Sequence, residues 1–263
     1  MCTPSATLTA WATSWLVGAS APDDVLDALH GWAPQHRVGA ADAVTAGCLG
    51  IGWPEGNAAG LTELLKSVRE ATSAPDARLR LVLPAAGDVR GLTPGSPFAT
   101  AAMAAGEGVL AGTVGAMGLG LVPNQPDPDT VKWTLFSEPI PDLVADMSMR
   151  EAEYAMREAV RDAADTLSAL HSVAVGLSAD PRALVEAELR KSASHTYPES
   201  MPIRTRRVLD SADRVAAILT VAAQQPANAP ASASGAGLHE DALRPLWRAI
   251  RAARVAAVNS TDD

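Results

Sequence analysis

The stretch with the most chemistry to offer is Leu83-Pro-Ala-Ala-Gly-Asp-Val-Arg-Gly-Leu-Thr-Pro-Gly-Ser-Pro97. It follows an apolar alternation, bears glycines, and ends where a serine and a proline announce a helix. Asp88 and Arg90 supply one acid and one five-donor fork. Ser96 would stand at a helix N-terminus, whose exposed amides suit an anion. Asp88, Arg90 and Ser96 are therefore the candidate ligand-binding residues, for a phosphate or carboxylate. The plainer reading is a local Asp–Arg pair with Ser96 capping its own helix.

A second arrangement lies further on. Glu158, Asp162 and Asp165 recur at spacings of four and three, which puts three carboxylates on one helical face. Hard cations need such convergence of oxygens. Here Arg157 and Arg161 interleave, so a charge-compensated, solvated face is expected instead. His30, His36, His171, His195 and His239 have no sequence neighbours that mark a general acid or base. Arg204, Arg206 and Arg207 form a tight basic cluster, offset by Asp210 and Asp213, with no aromatic residues beside it to stack bases. Trp11, Trp15, Trp32 and Trp53 crowd the first fifth of the chain and read mainly as core filler among alanines.

Several reactions find no motif. No Gly-x-Ser-x-Gly elbow is present, and no Lys-Ser/Thr follows a glycine-rich loop. Gly47-Cys-Leu-Gly-Ile-Gly52 has its glycines in the wrong order for a dinucleotide turn. Two cysteines, Cys2 and Cys48, make no framework, and no Cys/His spacing resembles a zinc site. No cofactor, metal or catalytic residue is expected from the sequence.

Composition narrows the partners. At 263 residues, 48% hydrophobic and 19% charged, the chain can bury a substantial core. Its net charge of −9 and pI of about 5.0 repel phosphate backbones and anionic lipid. Nucleic acid and membrane surfaces are not expected as partners. The first apolar stretch, Ala6–Val17, is broken by threonines and a serine and preceded by no basic residue, unlike a secretion signal. Ala101–Val122 carries a single charge, Glu107, but six glycines, and reads as a helix end followed by two short strands. Free thiols and the missing signal lead to an expected cytoplasmic location.

The elements that would position these groups divide at about residue 140. Ahead of it, short helices at Leu8–Trp15, Pro22–Gly31, Leu61–Val68 and Ser96–Ala105 mix with strands. Those strands are expected at His36–Gly39, Arg78–Leu83, Val109–Ala111, Leu119–Val122 and Val131–Phe136. The stretch from His36 to Trp53 is otherwise ambiguous. Behind Pro141 everything reads as helix. Ser148-Met-Arg-Glu151 is a capping box opening a long helix to about Gly176. Asp180-Pro181 opens a shorter one with Leu184, Val185 and Leu189. A third carries Val208, Ala212, Val215, Leu219 and Ala222, and the last carries Leu243, Leu246, Trp247, Ile250 and Ala257. Arg244, Arg248, Arg251 and Arg254 fall largely on the far, solvated side of that last helix. Residues 225–238 are rich in Pro, Ala, Ser and Gly and read as a flexible linker.

The sequence thus predicts an α/β or α+β domain over residues 1–140, a small mixed sheet flanked by helices. A helical bundle should follow over 141–263. The functional expectation is a non-catalytic interaction or regulatory protein docking a protein partner through its helical half. Leu243, Trp247, Arg248 and Ile250 are the candidate docking residues. The rival is a small-molecule binder or enzyme acting on an anionic ligand at the 84–97 loop.

Overall fold

The computed structural model describes residues 2–53, 60–142, 147–171, 181–192, 195–224 and 233–260. The chain forms two compact units. The sheet unit comprises Cys2–Asp146 together with His195–Met201; the helical unit comprises Met147–Ser194 and Pro202–Asp263.

In the sheet unit, α1 (Pro4–Leu16) and α2 (Pro22–His30) precede β1 (Gln35–Ala40). Then come α3 (Ala43–Leu49), α4 (Leu61–Ala71), β2 (Arg78–Val82) and α5 (Pro97–Ala105). The unit closes with β3 (Gly108–Gly112), β4 (Met117–Asp127) and β5 (Thr130–Pro139). The five strands lie in the order β1-β5-β4-β3-β2. Strands β2 to β5 run as an antiparallel meander, and β1 joins the far edge parallel to β5. The mixed sheet with flanking helices is the expected fold, and no strand follows β5 among the described residues.

Alternation along the strands feeds two cores. Leu79, Val109, Ala111, Leu119, Leu121, Val131, Trp133 and Leu135 face one way, packing with Leu8 and Ala12 of α1, Leu29 of α2, and Leu64 and Val68 of α4. Leu110, Val122 and Phe136 face the other way, packing with Phe98, Ala99 and Ala102 of α5. Every residue of β3 is buried because both its faces are covered.

The glycine-rich run around β3 and β4 has a packing cause. A Cβ at Gly120 would stand 2.5 Å from the Phe98 ring, and one at Gly118 would stand 2.5 Å from the Ala111 carbonyl oxygen. Only a bare backbone lets α5 and Ile140 approach this closely. Glu107, the lone charge of the run, receives the amide of Ser5 at 2.8 Å and so caps the start of α1 from across the fold.

Two local features depart from expectation. Helix α3 occupies the ambiguous stretch. Asp42 accepts amides from Val44 and Thr45 at 2.9 and 2.8 Å, and Gly50 ends the helix at φ 67°. Both signals are ordinary start and stop residues. The tryptophans also divide: Trp11, Trp15 and Trp32 pack on the first core, while Trp53 is 47% exposed.

The strip His195–Met201 lies between two helices of the C-terminal half but packs with the sheet unit. Trp11 donates its indole N–H to the Thr196 carbonyl at 2.8 Å, and the His195 ring stacks on Trp32 with centroids 3.6 Å apart. Ser200 hydrogen-bonds Ser14 at 2.7 Å. Stacking and indole bonds together hold a strip that has no regular structure of its own.

The helical unit contains α6 (Met149–His171), α7 (Pro181–Ser192), α8 (Ile203–Gln224) and α9 (Ala233–Asn259). The capping box forms as read: the Ser148 amide donates to Glu151 at 2.8 Å, and the Glu151 amide donates to the Ser148 hydroxyl at 3.3 Å. Its predicted continuation from 172 to 176 lies outside the described residues. Helix α9 packs against both α6 and α8, and α7 packs against α8.

Four expectations need correction here. Of the linker expected over 225–238, residues 225–232 lie outside the described residues, and Ala233–Leu238 are helical. Composition misled because a helix propagates cheaply from an anchored turn, one hydrogen bond per added residue. Leu243 and Ile250 are 9% and 0% exposed, inside the bundle core, so they hold the unit together and are not open to a partner. The arginine row on α9 is not uniformly solvated. Arg254 is buried, and its guanidinium donates to Asp213 of α8 at 2.5 Å. Removing one partner of such a pair would leave the other charge buried and uncompensated. Leu184 of α7, expected on a seam, is 38% exposed.

Candidate functional site

The 84–97 loop is drawn into local structure. Ala85 and Asp88 pair as an isolated bridge about Gly87, which adopts φ 78°. Asp88 is buried and takes a two-pronged bond from Arg90, with Nε to Oδ1 and Nη2 to Oδ2 both at 2.8 Å. Ser96 accepts the Ala99 amide at 3.0 Å, capping α5. The structure thus brings Asp88 and Arg90 together and turns Ser96 toward its own helix. All three do structural work where they stand.

His36 shows how the sheet unit spends its polar groups. An indole N–H only donates, so the Trp133 Nε1–H at 3.1 Å makes His36 Nδ1 an acceptor. The proton therefore sits on Nε2 and is donated to the Leu29 carbonyl at 3.0 Å. Burial pushes the His36 imidazole below its ordinary value, against the opposing pull of the Leu29 carbonyl, with His30 nearby lowering it further. A neutral ring bridging β5, β1 and α2 is a structural tie. It is not a base awaiting a substrate. Trp133 gave no hint of this in sequence, since the two residues stand 97 positions apart.

Of the carboxylate row of α6, Glu158 and Asp162 can be followed. Arg161 donates to Glu158 at 2.6 Å. Asp162 is engaged too, and the Asp165 side chain lies outside the described residues. Among the described residues no group of three His, Cys, Asp or Glu side chains could hold a metal ion. None of the described helices is long and apolar enough to cross a membrane.

The feature that sequence reasoning missed lies between α6 and α8. A groove of about 560 Å³ is lined by Glu153, Met156, Arg157, Val160 and Arg161 of α6 and by Arg207, Val208 and Ser211 of α8. Its described lining includes no residue of α9. Met156 and Val208 are buried and form the floor, whereas Val160 remains 44% exposed. Arg157, Arg161 and Arg207 stand exposed around the rim.

Glu153 is the one acid in that lining, and it is already engaged. Arg204 donates to its two oxygens at 2.7 and 3.0 Å, and this bond holds the Glu153 carboxyl below its ordinary range. The groove thus pairs an apolar floor with a cationic margin on a chain whose net charge is −9. A signal did exist in the sequence. Arg157 and Arg161 sit one turn apart beside Met156 and Val160, and Arg204 and Arg207 sit beside Val208. The pattern becomes meaningful only once α6 and α8 are known to be neighbours.

Of the residues expected to dock a partner, Leu243 and Ile250 are spent in the core, Trp247 is half-buried, and Arg248 is exposed. None of the four lines the groove.

Comparison with known proteins adds a family. Residues 5–147 match the model of the Rv1486c-like protein N-terminal domain, and residues 150–255 match that of the corresponding C-terminal domain. Two relatives from Mycobacterium tuberculosis strains H37Rv and CDC 1551, both called uncharacterized proteins, are each 41% identical; the alignments cover 98% of this chain and 96% of theirs. An uncharacterized protein of Mycobacterium leprae is 38% identical over the same shares. No solved structure matches the chain. With both halves matched in order and relatives aligned almost end to end, the chain belongs to the Rv1486c-like protein family.

Proposed function

We propose that this is a non-catalytic binding protein that docks a protein partner through its helical unit, at the α6/α8 groove. The groove itself carries the reading: an apolar trough with an exposed cationic margin on an acidic chain. Apolar anchoring supplies affinity in such a trough, and rim charge supplies encounter rate and orientation.

The rival, an anionic small-molecule site at residues 84–97, has less behind it. Its acid and its cation neutralise each other, and its helix start is already capped by Ser96. His36, which a catalytic reading would recruit, is similarly committed between Trp133 and Leu29.

Charge reversal tests the proposal. Tagged full-length protein carrying Arg157→Glu and Arg207→Glu should lose a partner that the parent protein retains from its own cells. Arg244→Glu with Arg248→Glu, on exposed positions of α9, should keep that partner. Equal retention by both double variants would remove the groove from consideration.

A further inference from the structure

We infer that the occupant of the α6/α8 groove is an amphipathic α-helix of a protein partner, with large apolar side chains on one face and carboxylates along its flanks. The inference rests on the docking reading above and specifies the chemistry of what docks.

Shape argues for a helix. The lining of α6 runs from Glu153 to Arg161, about 12 Å along the axis at a helical rise of 1.5 Å per residue. Met156 and Val160 are four apart, as are Arg207 and Ser211, and such rows form the ridges between which another helix packs. Two neighbouring helices with an apolar trough between them offer the kind of seat that a further helix takes in a bundle. A visitor contacting two to three turns would present anchors at i, i+3 or i+4, and i+7.

The surroundings of the groove point the same way. Among the described residues, the large apolar side chains of the helical unit that stand exposed are Tyr154, Val160, Leu184 and Ile203. Val160 lies in the groove. Tyr154 follows Glu153 on one bank, and Ile203 lies one turn ahead of Arg207 on the other. Tyr154 and Ile203 are 62% and 65% exposed. A helix seated in the trough would cover all three, and exposed apolar clusters rimmed by charge mark such interfaces.

Charge selects the sign of the flank and disfavours other occupants. Arg157 and Arg161 keep 68% and 72% of their side-chain surface exposed. Small-molecule sites clasp their ligands with a few well-buried polar groups, whereas here the floor is apolar and the cations are all peripheral. Rim cations of this kind steer and align a macromolecular partner. A second copy of this chain, docked isologously, would set the arginine margin against itself. Nucleic acid would meet these arginines on a protein whose net charge of −9 repels its backbone.

The test uses full-length protein and a displayed library of helical peptides about five turns long. Selected sequences should carry Leu, Ile, Phe or Met at i, i+3 or i+4, and i+7, flanked by Asp or Glu. A synthetic peptide of the selected sequence should bind more weakly as salt rises. Its affinity should fall about tenfold or more for the Arg157→Glu/Arg207→Glu protein. Val160→Asp should also weaken it, Tyr154→Ala should do so more mildly, and Arg244→Glu/Arg248→Glu should leave it unchanged. Circular dichroism establishes that each variant is folded. Peptides without an acidic flank, no enrichment, or binding indifferent to the groove variants would overturn the inference. Should that happen while Arg157→Glu/Arg207→Glu still loses the cellular partner, the groove stands and its occupant is not a helix of this kind. Loss of neither would bring down the docking reading as well.

Discussion

Asp88, Ser96 and His36 of the sheet unit are engaged inside the fold, whereas Arg157 and Arg161 beside the α6/α8 groove keep most of their side-chain surface exposed. Asp88 holds Arg90, Ser96 caps α5, and His36 is bonded through both ring nitrogens. In each case the chemistry that looked available is consumed in positioning the backbone. Around the groove, Arg157, Arg161 and Arg207 project past an apolar floor, and Tyr154 and Ile203 remain uncovered beside them. Burial of a polar group demands a partner, so a group satisfied inside the fold has little left for a ligand. Arg161 holds Glu158 and Arg157 lies 3.9 Å from Glu153, yet both stay mostly exposed beside uncovered apolar surface. That contrast favours the groove over the loop as the functional surface.

Substitution can break or sharpen the contrast. The largest effect belongs to the inward side. Trp133→Ala empties a fully buried site and removes the donor to His36, and should cost about 3–5 kcal/mol in chemical denaturation. Asp213→Ala leaves the Arg254 guanidinium buried without its acid, and should cost about 3 kcal/mol or more. Making Arg254 apolar as well, as in Asp213→Ala/Arg254→Met, should recover much of that loss. If the single change is harmless, the α8/α9 pair is a surface contact and the bundle core is misread.

Acidification acts on the same inward groups. Burial lowers the imidazoles of both His36 and His195 below the ordinary 6.5. Between the unfolded value and each folded value, the unfolded chain binds protons that the folded chain refuses. Stability should therefore be flat with respect to these groups above pH 6.5 and fall as the pH drops below it. Melting temperature compared at about pH 7.5 and pH 5.5 measures the slope, and His36→Gln should flatten it. An unchanged slope would mean that His36 titrates freely and is not held between Trp133 and Leu29.

Ser96→Ala should cost about 1 kcal/mol by uncapping α5. The outward changes should be smaller still for folding. Val160→Ala and Arg207→Glu should shift stability by only about 0.5 kcal/mol. Their consequence should appear in partner binding alone, which is the sharpest form of the contrast.

Much of the fold could be read from the residues, because alternation and capping are local. Leu79 and Leu81 marked β2, Ser96-Pro97 marked the start of α5, and Ser148 with Glu151 marked the start of α6. Asp42 and Gly50 bracket α3 in the same local language, although the strand signal just ahead of them blurs it. The placement of β1 beside β5, the His36–Trp133 bond and the docking of His195 on Trp32 join residues far apart in the chain, which no short-range period reports. The groove failed for a related reason. Its floor and rim are drawn from two helices, and each alone looks like an ordinary amphipathic rod with a solvated face. The Leu243–Ile250 stripe was legible as apolar, but a stripe does not say whether it meets its own bundle or another protein.

Photo-crosslinking inside cells tests the central claim most directly. A benzophenone side chain would be placed in turn at Val160 in the groove and at Val89 in the 84–97 loop, both exposed positions. The groove account predicts a discrete protein adduct from position 160 that disappears when Arg157 and Arg207 are reversed in charge, and none from position 89. An adduct from position 89 alone, or one from position 160 that ignores those arginines, would contradict it.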